Sequence, residues 1–189
     1  MPPIIITLLR NQELAQKYDL SSIRFLYTGA APLGVETVAE VLKTYPHWHI
    51  GQGYGMTETA TGITSTQEND ILFGSSGSLL PGTRAKIIDT EGNEVTEHEK
   101  RGELLYQGPS VTIGYLNNEK ATAETFIWDK DGRWIRTGDE VLVRLSEKGN
   151  EHFVIVDRIK ELIKVKVCFP LFLPSCSTTA MATLGPNVC

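Results

Sequence analysis

Cysteine and histidine are scarce: the chain has three Cys, at positions 168, 176 and 189, and four His, none of them beyond His152. No pair stands at metal-ligand spacing, which excludes both a zinc site and a disulfide framework. Positive charge is in deficit, with 18 Lys plus Arg against 23 Asp plus Glu and a formal charge of −5. Most nucleic-acid binders neutralise phosphates with a basic surplus, so a nucleic-acid partner is not expected, although a few local groups can still hold one nucleotide. Long apolar runs are missing too. The longest near the N-terminus, Pro2 to Leu9, is too short to span a bilayer and lacks a basic n-region, so stable membrane insertion is not expected. It reads as the start of a buried helix or strand. What remains is an ordinary globular composition, 41% hydrophobic and 22% charged over 189 residues, enough for one domain or one domain and a fragment. Disorder of the whole chain is excluded.

The first part alternates helical and extended texture. Asn11 to Tyr18 carries helix formers, Asp19 to Ser22 reads as a turn, and Ile23 to Tyr27 as a short buried strand ending at Thr28-Gly-Ala-Ala-Pro32. From Leu33 to Tyr45, Val35, Val38, Ala39 and Leu42 recur at helical spacing, with Glu36, Glu40 and Lys43 left for solvent. His49 to Gly55 then reads as a strand leaving into a Gly-rich loop. From Gly74 the texture changes to short β-type runs at 84–88, 102–107, 140–144 and 152–156, separated by turns, with one or two helical turns from Lys120 to Phe126. Trp128 and Trp134 read as packing residues, and the acidic run Glu94 to Glu99 as a solvated loop. A fold of the α/β class follows: a partial α/β layer, then a small β-rich subdomain of distorted-barrel type. The expected organisation is 1–73, 74–157, a hinge segment 158–166 and a tail 167–189.

Gly51-Gln-Gly-Tyr-Gly-Met-Thr-Glu-Thr59 packs small residues, one aromatic, hydroxyls and an acid into nine positions, as a backbone needs when it approaches a flat polar ligand closely. On composition alone an ordinary turn explains it equally well. Trp134-Ile-Arg-Thr-Gly-Asp139 sets a carboxylate directly after a Gly turn, and Asp157-Arg158 closes a β-hairpin. Taken singly, each is as easily a turn acid or a surface ion pair.

The ordered set is more specific. Tyr27-Thr-Gly-Ala-Ala-Pro-Leu33, Tyr-Gly-Met-Thr-Glu at 54–58, Gly-Glu-Leu with Gly-Pro and Gly-Tyr between 102 and 115, Arg-Thr-Gly-Asp at 136–139 and Arg-Ile-Lys-Glu-Leu-Ile-Lys at 158–164 follow one another. The sequence from 1 to about 166 resembles the adenylate-forming superfamily of acyl-CoA synthetases, peptide-synthetase adenylation domains and firefly-type luciferases. With Tyr115 to Thr125 included, it looks closest to the 4-coumarate-CoA ligase-like branch.

The resemblance implies an ATP-dependent acid–thiol ligase (EC 6.2.1.-) that makes an acyl-AMP and then a CoA thioester. Its cofactors and substrates would be ATP, Mg²⁺, coenzyme A and an aryl or fatty carboxylic acid. By motif, Thr57 would bond the α-phosphate and Glu58 would hold Mg²⁺, a hard cation that takes one or two carboxylates plus phosphate oxygens. Gly29, Ala30, Ala31 and Pro32 would form one wall of the adenine slot, with Tyr54 stacking on the base. Asp139 would accept from both ribose hydroxyls, and Arg158 would support ribose or phosphate. Gln52, Gly53 and Gly55 would lie near the acyl group. Lys160 matches the hinge of the family's small C-terminal domain, and Lys164 the catalytic-segment lysine just beyond it.

Departures from the pattern set further expectations. The family's Ser/Thr/Gly-rich phosphate loop with its lysine is not among these residues, and after Lys166 the text loses every Asp, Glu, Lys and Arg. The tail resembles translated non-coding sequence, such as a retained intron, and its Pro, Ser and Thr favour disorder. Expected consequences are no adenylation by this chain alone and possible association through exposed sheet edges. Two alternatives stand beside the ligase: a non-catalytic remnant that binds adenine nucleotide weakly or pairs with a full-length relative, and a peptide-synthetase-type adenylation domain. The default compartment is the cytoplasm. A full-length relative could be peroxisomal, but the terminal Gly-Pro-Asn-Val-Cys is no peroxisomal address.

Overall fold

The computed structural model describes residues 2–31 and 33–159, and the backbone at 163–164 and 170–171. Helix α1 (Pro2–Arg10) starts with proline in its first turn, where a missing N–H costs nothing, and buries Ile5 and Leu9 one turn apart. The N-terminal run, open between helix and strand in the sequence, is a helix. The following helical text shortens to α2 (Gln12–Ala15), and β1 runs from Phe25 to Thr28. Helix α3 (Val35–Thr44) turns Val38 and Val41 inward, with Glu36 in the first turn and Lys43 in the last, each favourable to the helix dipole. It stops at Tyr45, because a residue before proline avoids the α conformation. The Tyr45 ring then stacks on buried Trp48, centroids 4.0 Å apart.

Strand β2 (His49–Tyr54) pairs parallel to β1, Phe25 beside His49 through Thr28 beside Gln52, so β1, α3 and β2 make a βαβ unit. Its core joins Ile5, Leu9, Leu33, Val38, Val41, Trp48 and Ile50. The glycines of β2 are required by the aromatics of β1: a Cβ on Gly51 would lie 2.4 Å from the Phe25 ring, and one on Gly53 2.0 Å from the Tyr27 hydroxyl. Short β3 (Thr64–Ser65) and β4 (Ser78–Leu79) extend this sheet antiparallel, in the order β1-β2-β3-β4. They pair with one another, Thr64 beside Leu79 and Ser65 beside Ser78.

The second sheet is antiparallel throughout. It comprises β5 (Arg84–Ile88), β6 (Glu94–Val95), β7 (Gly102–Gln107), β8 (Phe126–Asp129), β9 (Gly132–Leu145) and β10 (Glu151–Arg158), with helix α4 (Glu119–Thr125) before β8. The order is β10-β9-β7-β5-β6, with β8 on β9. Among the described residues β10 and β6 do not meet, so the β-rich half is an open sheet and not a closed barrel. Its apolar centre includes Ile63, Ile87, Leu104, Tyr106, Ile135 and Val141. Trp134 is buried as expected, but Trp128 is 75% exposed, a correction to its packing role. It stands on β8, which pairs with β9 alone and leaves the outer ring uncovered. The acidic run is partly strand, with Val95 buried in β6 and Glu99 paired to Arg144.

The two sheets join through the apolar centre, to which Ile63, Tyr54 and Leu79 contribute, and through polar contacts. Phe153 and Gly77 or Ser76 exchange backbone bonds of 2.8 Å. Beside them, Asp70 Oδ2 accepts from Asn150 Nδ2 at 2.6 Å and Ser146 Oγ at 3.1 Å, and lies 3.3 Å from His152 Nε2. Ser75 Oγ is 3.0 Å from His152 Nδ1. Asp70, Ser75, Ser146 and His152 are all buried, so the cluster fastens the 66–77 connection to the β9–β10 hairpin. No helix among the described residues is long and apolar enough to cross a membrane.

Candidate functional site

Open parallel sheets present their loops at the carboxyl ends of the strands, and β1 and β2 end side by side. After β1, Gly29 lets the loop touch β2: a Cβ there would sit 3.1 Å from the Gly53 carbonyl oxygen. Ala30 follows at φ 69°, a left-handed conformation that an L-residue adopts at some cost. Beyond it, the Leu33 N–H donates to Gln52 Oε1 at 3.0 Å, tying the loop to β2.

After β2 the chain folds into a one-turn 3₁₀ helix, Thr57–Thr59. Gly55 permits it, since a Cβ would fall 1.3 Å from the Thr61 carbonyl oxygen. Fully buried Thr59 pins the turn by donating its hydroxyl to the Met56 carbonyl at 2.9 Å. Ala60 and Thr61 complete it at φ 51° and 99°. With Thr59 turned in, Thr57 faces solvent and Glu58 is half-buried.

The third contributor is a kink in the second sheet. Against β7, the register of β9 jumps from Arg136 opposite Leu105 to Glu140 opposite Glu103, and β10 jumps between Ile155 and Asp157 at the same level. Gly138, at φ 69°, sits inside the β9 bulge, and its N–H donates to Glu103 Oε1 at 3.3 Å. Bulges re-aim side chains. This one carries Asp139 to within 2.5 Å of the Tyr54 hydroxyl, which donates to Oδ2, and 3.0 Å of Arg158 Nε at Oδ1. The text that read as a Gly turn before Asp139 is therefore an irregularity within one long strand.

Tyr54, Asp139 and Arg158, drawn from β2, β9 and β10, thus form one group. Burial first, then the Asp139 charge, pushes the Tyr54 phenol far above its ordinary pKa, which keeps it a neutral donor. The Asp139 side chain is 2% exposed and that of Arg158 is 41%, so the carboxylate is buried while its cation opens to water. Glu58 lies on a second branch, where Tyr115 donates its hydroxyl to Oε1 at 2.7 Å and the Thr112 N–H donates to the Glu58 carbonyl at 2.9 Å. Burial first and Glu58 second push the Tyr115 phenol up to about 12.

The structure therefore brings together Tyr54, Asp139 and Arg158, and sets Gly29, Ala30 and Ala31 beside the end of β2. Gln52, Gly53 and Gly55 serve the backbone packing just described. Pro32 and Lys160 lie outside the described residues, as does nearly all of the 160–189 segment with its hinge and tail, and of Lys164 only the backbone is described. Tyr115 was not singled out from the sequence as a site residue; its signals were the Gly-Tyr pair that follows Gly-Pro and its place at the start of the 115–125 segment. A cavity of about 500 Å³ between α1 and α2, lined by Leu9, Arg10 and Lys17 among others, shares none of these side chains.

Known proteins resemble this chain in both sequence and fold. Residues 1–116 match the family model described as AMP-binding enzyme. Acyl-CoA ligase AFT1-1 of Alternaria alternata is 46% identical over 165 residues, 87% of this chain and 28% of that protein. A long-chain-fatty-acid-CoA ligase from Archaeoglobus fulgidus superimposes with a TM-score of 0.73 at 28% identity, over 85% of this chain and 33% of that one. The anthranilate CoA ligase AuaEII in complex with anthranoyl-AMP gives 0.71 at 25% identity, over 87% and 30%. The chain thus spans about a third or less of the length of each.

Proposed function

This chain belongs to the AMP-binding enzyme family, and from that premise we propose that it carries the adenylate-holding part of an ATP-dependent acyl-CoA ligase of 4-coumarate-CoA ligase-like type. The observation that supports this best is the meeting of Tyr54 and Arg158, at the ends of β2 and β10, with Asp139 at the bulge of β9. In this reading the protein is divided as 1–73, 74–157, 158–166 and 167–189, and Lys160 and Lys164 serve as hinge and catalytic-segment lysine.

The chemistry such a site must perform explains the residue types. A carboxylate is inert toward thiols until its oxygen becomes a good leaving group, which an acyl-AMP provides. Asp139 exchanges a hydrogen bond from Tyr54 for the ribose hydroxyls, and Arg158, already exposed on one side, follows the nucleotide as a fixed cation. The wall from Gly29 to Pro32 and the Tyr54 ring take the adenine. Thr57, on an exposed turn, turns its hydroxyl to the α-phosphate. Gln52, Gly53 and Gly55 border the aryl or fatty acyl group.

Glu58 fits Mg²⁺. Its carboxylate is half-buried, has one oxygen held by Tyr115, and belongs to no cluster of three His, Cys, Asp or Glu among the described residues. One carboxylate suits a cation whose other ligands are phosphate oxygens and water. When bound, Mg²⁺ supplies charge that offsets repulsion between carboxylate and phosphate. The acceptor in this reading is CoA, and the compartment the cytoplasm.

The test is calorimetric titration with AMP, followed by ATP–pyrophosphate exchange with Mg²⁺ and a panel of aryl and fatty acids. The chain is expected to bind AMP and Asp139→Asn to weaken it about tenfold, a hydrogen-bond-sized loss. Folded protein that ignores AMP would overturn the proposal. Exchange abolished by Glu58→Ala would assign the full acyl-AMP step to this chain; AMP binding without exchange is the expected result, and assigns it the nucleotide grip alone.

A further inference from the structure

We propose that Tyr115 is a positioning residue for Glu58: it holds one carboxylate oxygen so that the other faces a divalent cation carried by the nucleotide. This rests on the reading of Glu58 as the cation's carboxylate. The Tyr115 hydroxyl donates to Glu58 Oε1 at 2.7 Å, and no other side chain among the described residues bonds Glu58, which leaves Oε2 open. A glutamate has three rotatable torsions, and ordering them costs side-chain entropy. A donor already in place meets that cost before the cation arrives. The identity of the donor matters as well. Lysine or arginine would cancel the charge that attracts the cation, whereas a phenol is an uncharged donor and leaves it intact.

Tyr115 is itself held from three sides, which a casual surface contact would not be. Its backbone N–H donates to Thr122 Oγ1 at 2.9 Å, and that hydroxyl donates to the Asn118 carbonyl at 2.8 Å. The Asn118 side chain caps α4 by accepting from the Ala121 N–H at 3.0 Å. Gly114, at φ 155°, lets the 112–115 segment close as a strap on Thr122, where a Cβ would fall 2.6 Å from Cγ2. On the other side Arg133 Nη2 donates to the Thr112 and Ile113 carbonyls at 2.8 and 2.9 Å. Its guanidinium lies 4.4 Å from the centroid of Phe126, whose ring is 5.7 Å from that of Tyr115. The Thr112 N–H grips the Glu58 carbonyl as well, so backbone and side chain are fixed by the same strap.

The experiment is water-proton relaxation with Mn²⁺·ATP titrated by the protein, beside calorimetric binding of metal-free AMP. Tyr115→Phe keeps the ring and removes only the donor. It is expected to weaken Mn²⁺·ATP binding about fivefold and leave AMP affinity unchanged. In a Glu58→Gln background the same change is expected to have no further effect. Unaltered Mn²⁺·ATP binding by Tyr115→Phe, or an equal loss for AMP, would overturn the proposal, the second outcome assigning Tyr115 a general structural role. A wild-type chain that binds AMP but gives no relaxation enhancement overturns the reading of Glu58 itself, and so is distinguishable from failure at Tyr115.

Discussion

Two buried aspartates, Asp70 and Asp139, have different company. Asp70 gathers Asn150, Ser146 and His152; Asn150 is exposed, but Ser146 and His152 are as buried as the carboxylate they surround. Asp139 is bonded by Tyr54 and by Arg158, whose side chain is 41% exposed. A carboxylate that keeps two enclosed partners, whatever its solvent-side donor does, has nowhere to exchange them, so those interactions stabilise the fold. One whose cation opens to solvent sits where a ligand can take over part of its bonding. Burial of the carboxylate alone does not separate these roles, and nor does one exposed partner; what does is whether any partner is itself enclosed, as Ser146 and His152 are and Tyr54 and Arg158 are not.

The widest contrast is expected in stability. Asp70→Ala strips two hydrogen bonds and leaves His152 buried without its carboxylate, a loss of about 3 kcal/mol in unfolding free energy. Asp139→Asn keeps an acceptor for Tyr54 and is expected to stay within about 1 kcal/mol of wild type. Urea denaturation of both variants measures the difference. Equal losses would erase the distinction between the two sites.

A second test uses acid. The Asn150 amide, followed by Ser146 and His152, holds the Asp70 carboxyl below its ordinary value despite burial. A folded pKa below the unfolded one contributes stability that is complete above the unfolded carboxylate range, near pH 4, and is lost as pH falls through the folded value. Asp129, pulled down to about 2 chiefly by Lys86, contributes with the same sign. Urea midpoints are therefore expected to fall between pH 5 and 3, and less steeply in Asp70→Asn. A variant slope as steep as wild type would remove Asp70 from the account.

How far the sequence reached follows from the same contrast. The βαβ unit was legible because its signals are local: helical spacing at Val38 and Leu42, a proline after Tyr45, a short apolar strand on either side. The positions of Tyr54, Asp139 and Arg158 came from ordered motifs, and their meeting in space is a fact of the fold. The bulge at Gly138 was legible only as a glycine, because a turn and a bulge share that residue and differ in the register of the partner strand. Closure of the second sheet was also beyond reach, since short β-runs look alike in an open sheet and a barrel. Asp70 and His152 drew no attention as a pair, and neither did Glu58 and Tyr115. Each pair is joined by tertiary packing between segments far apart in sequence, for which no periodicity exists.

The smallest expected effect probes the Asp139 site from its other side. Tyr54→Phe removes the hydroxyl that donates to Asp139 and keeps the ring. Asp139 retains Arg158, so the loss in stability is expected to be about 1 kcal/mol, the net worth of one hydrogen bond. For nucleotide binding two effects oppose each other. The variant loses a group that orients the carboxylate, but ribose no longer displaces a phenol to reach Oδ2, so AMP affinity is expected to change less than threefold in calorimetry. A tenfold loss would mean that the hydroxyl stays bonded when nucleotide binds, and that Asp139 offers ribose only what Arg158 leaves open. A tenfold gain would mean that displacement of the phenol is the main cost of binding, which would make Tyr54 a gate on the carboxylate as well as a surface for the base.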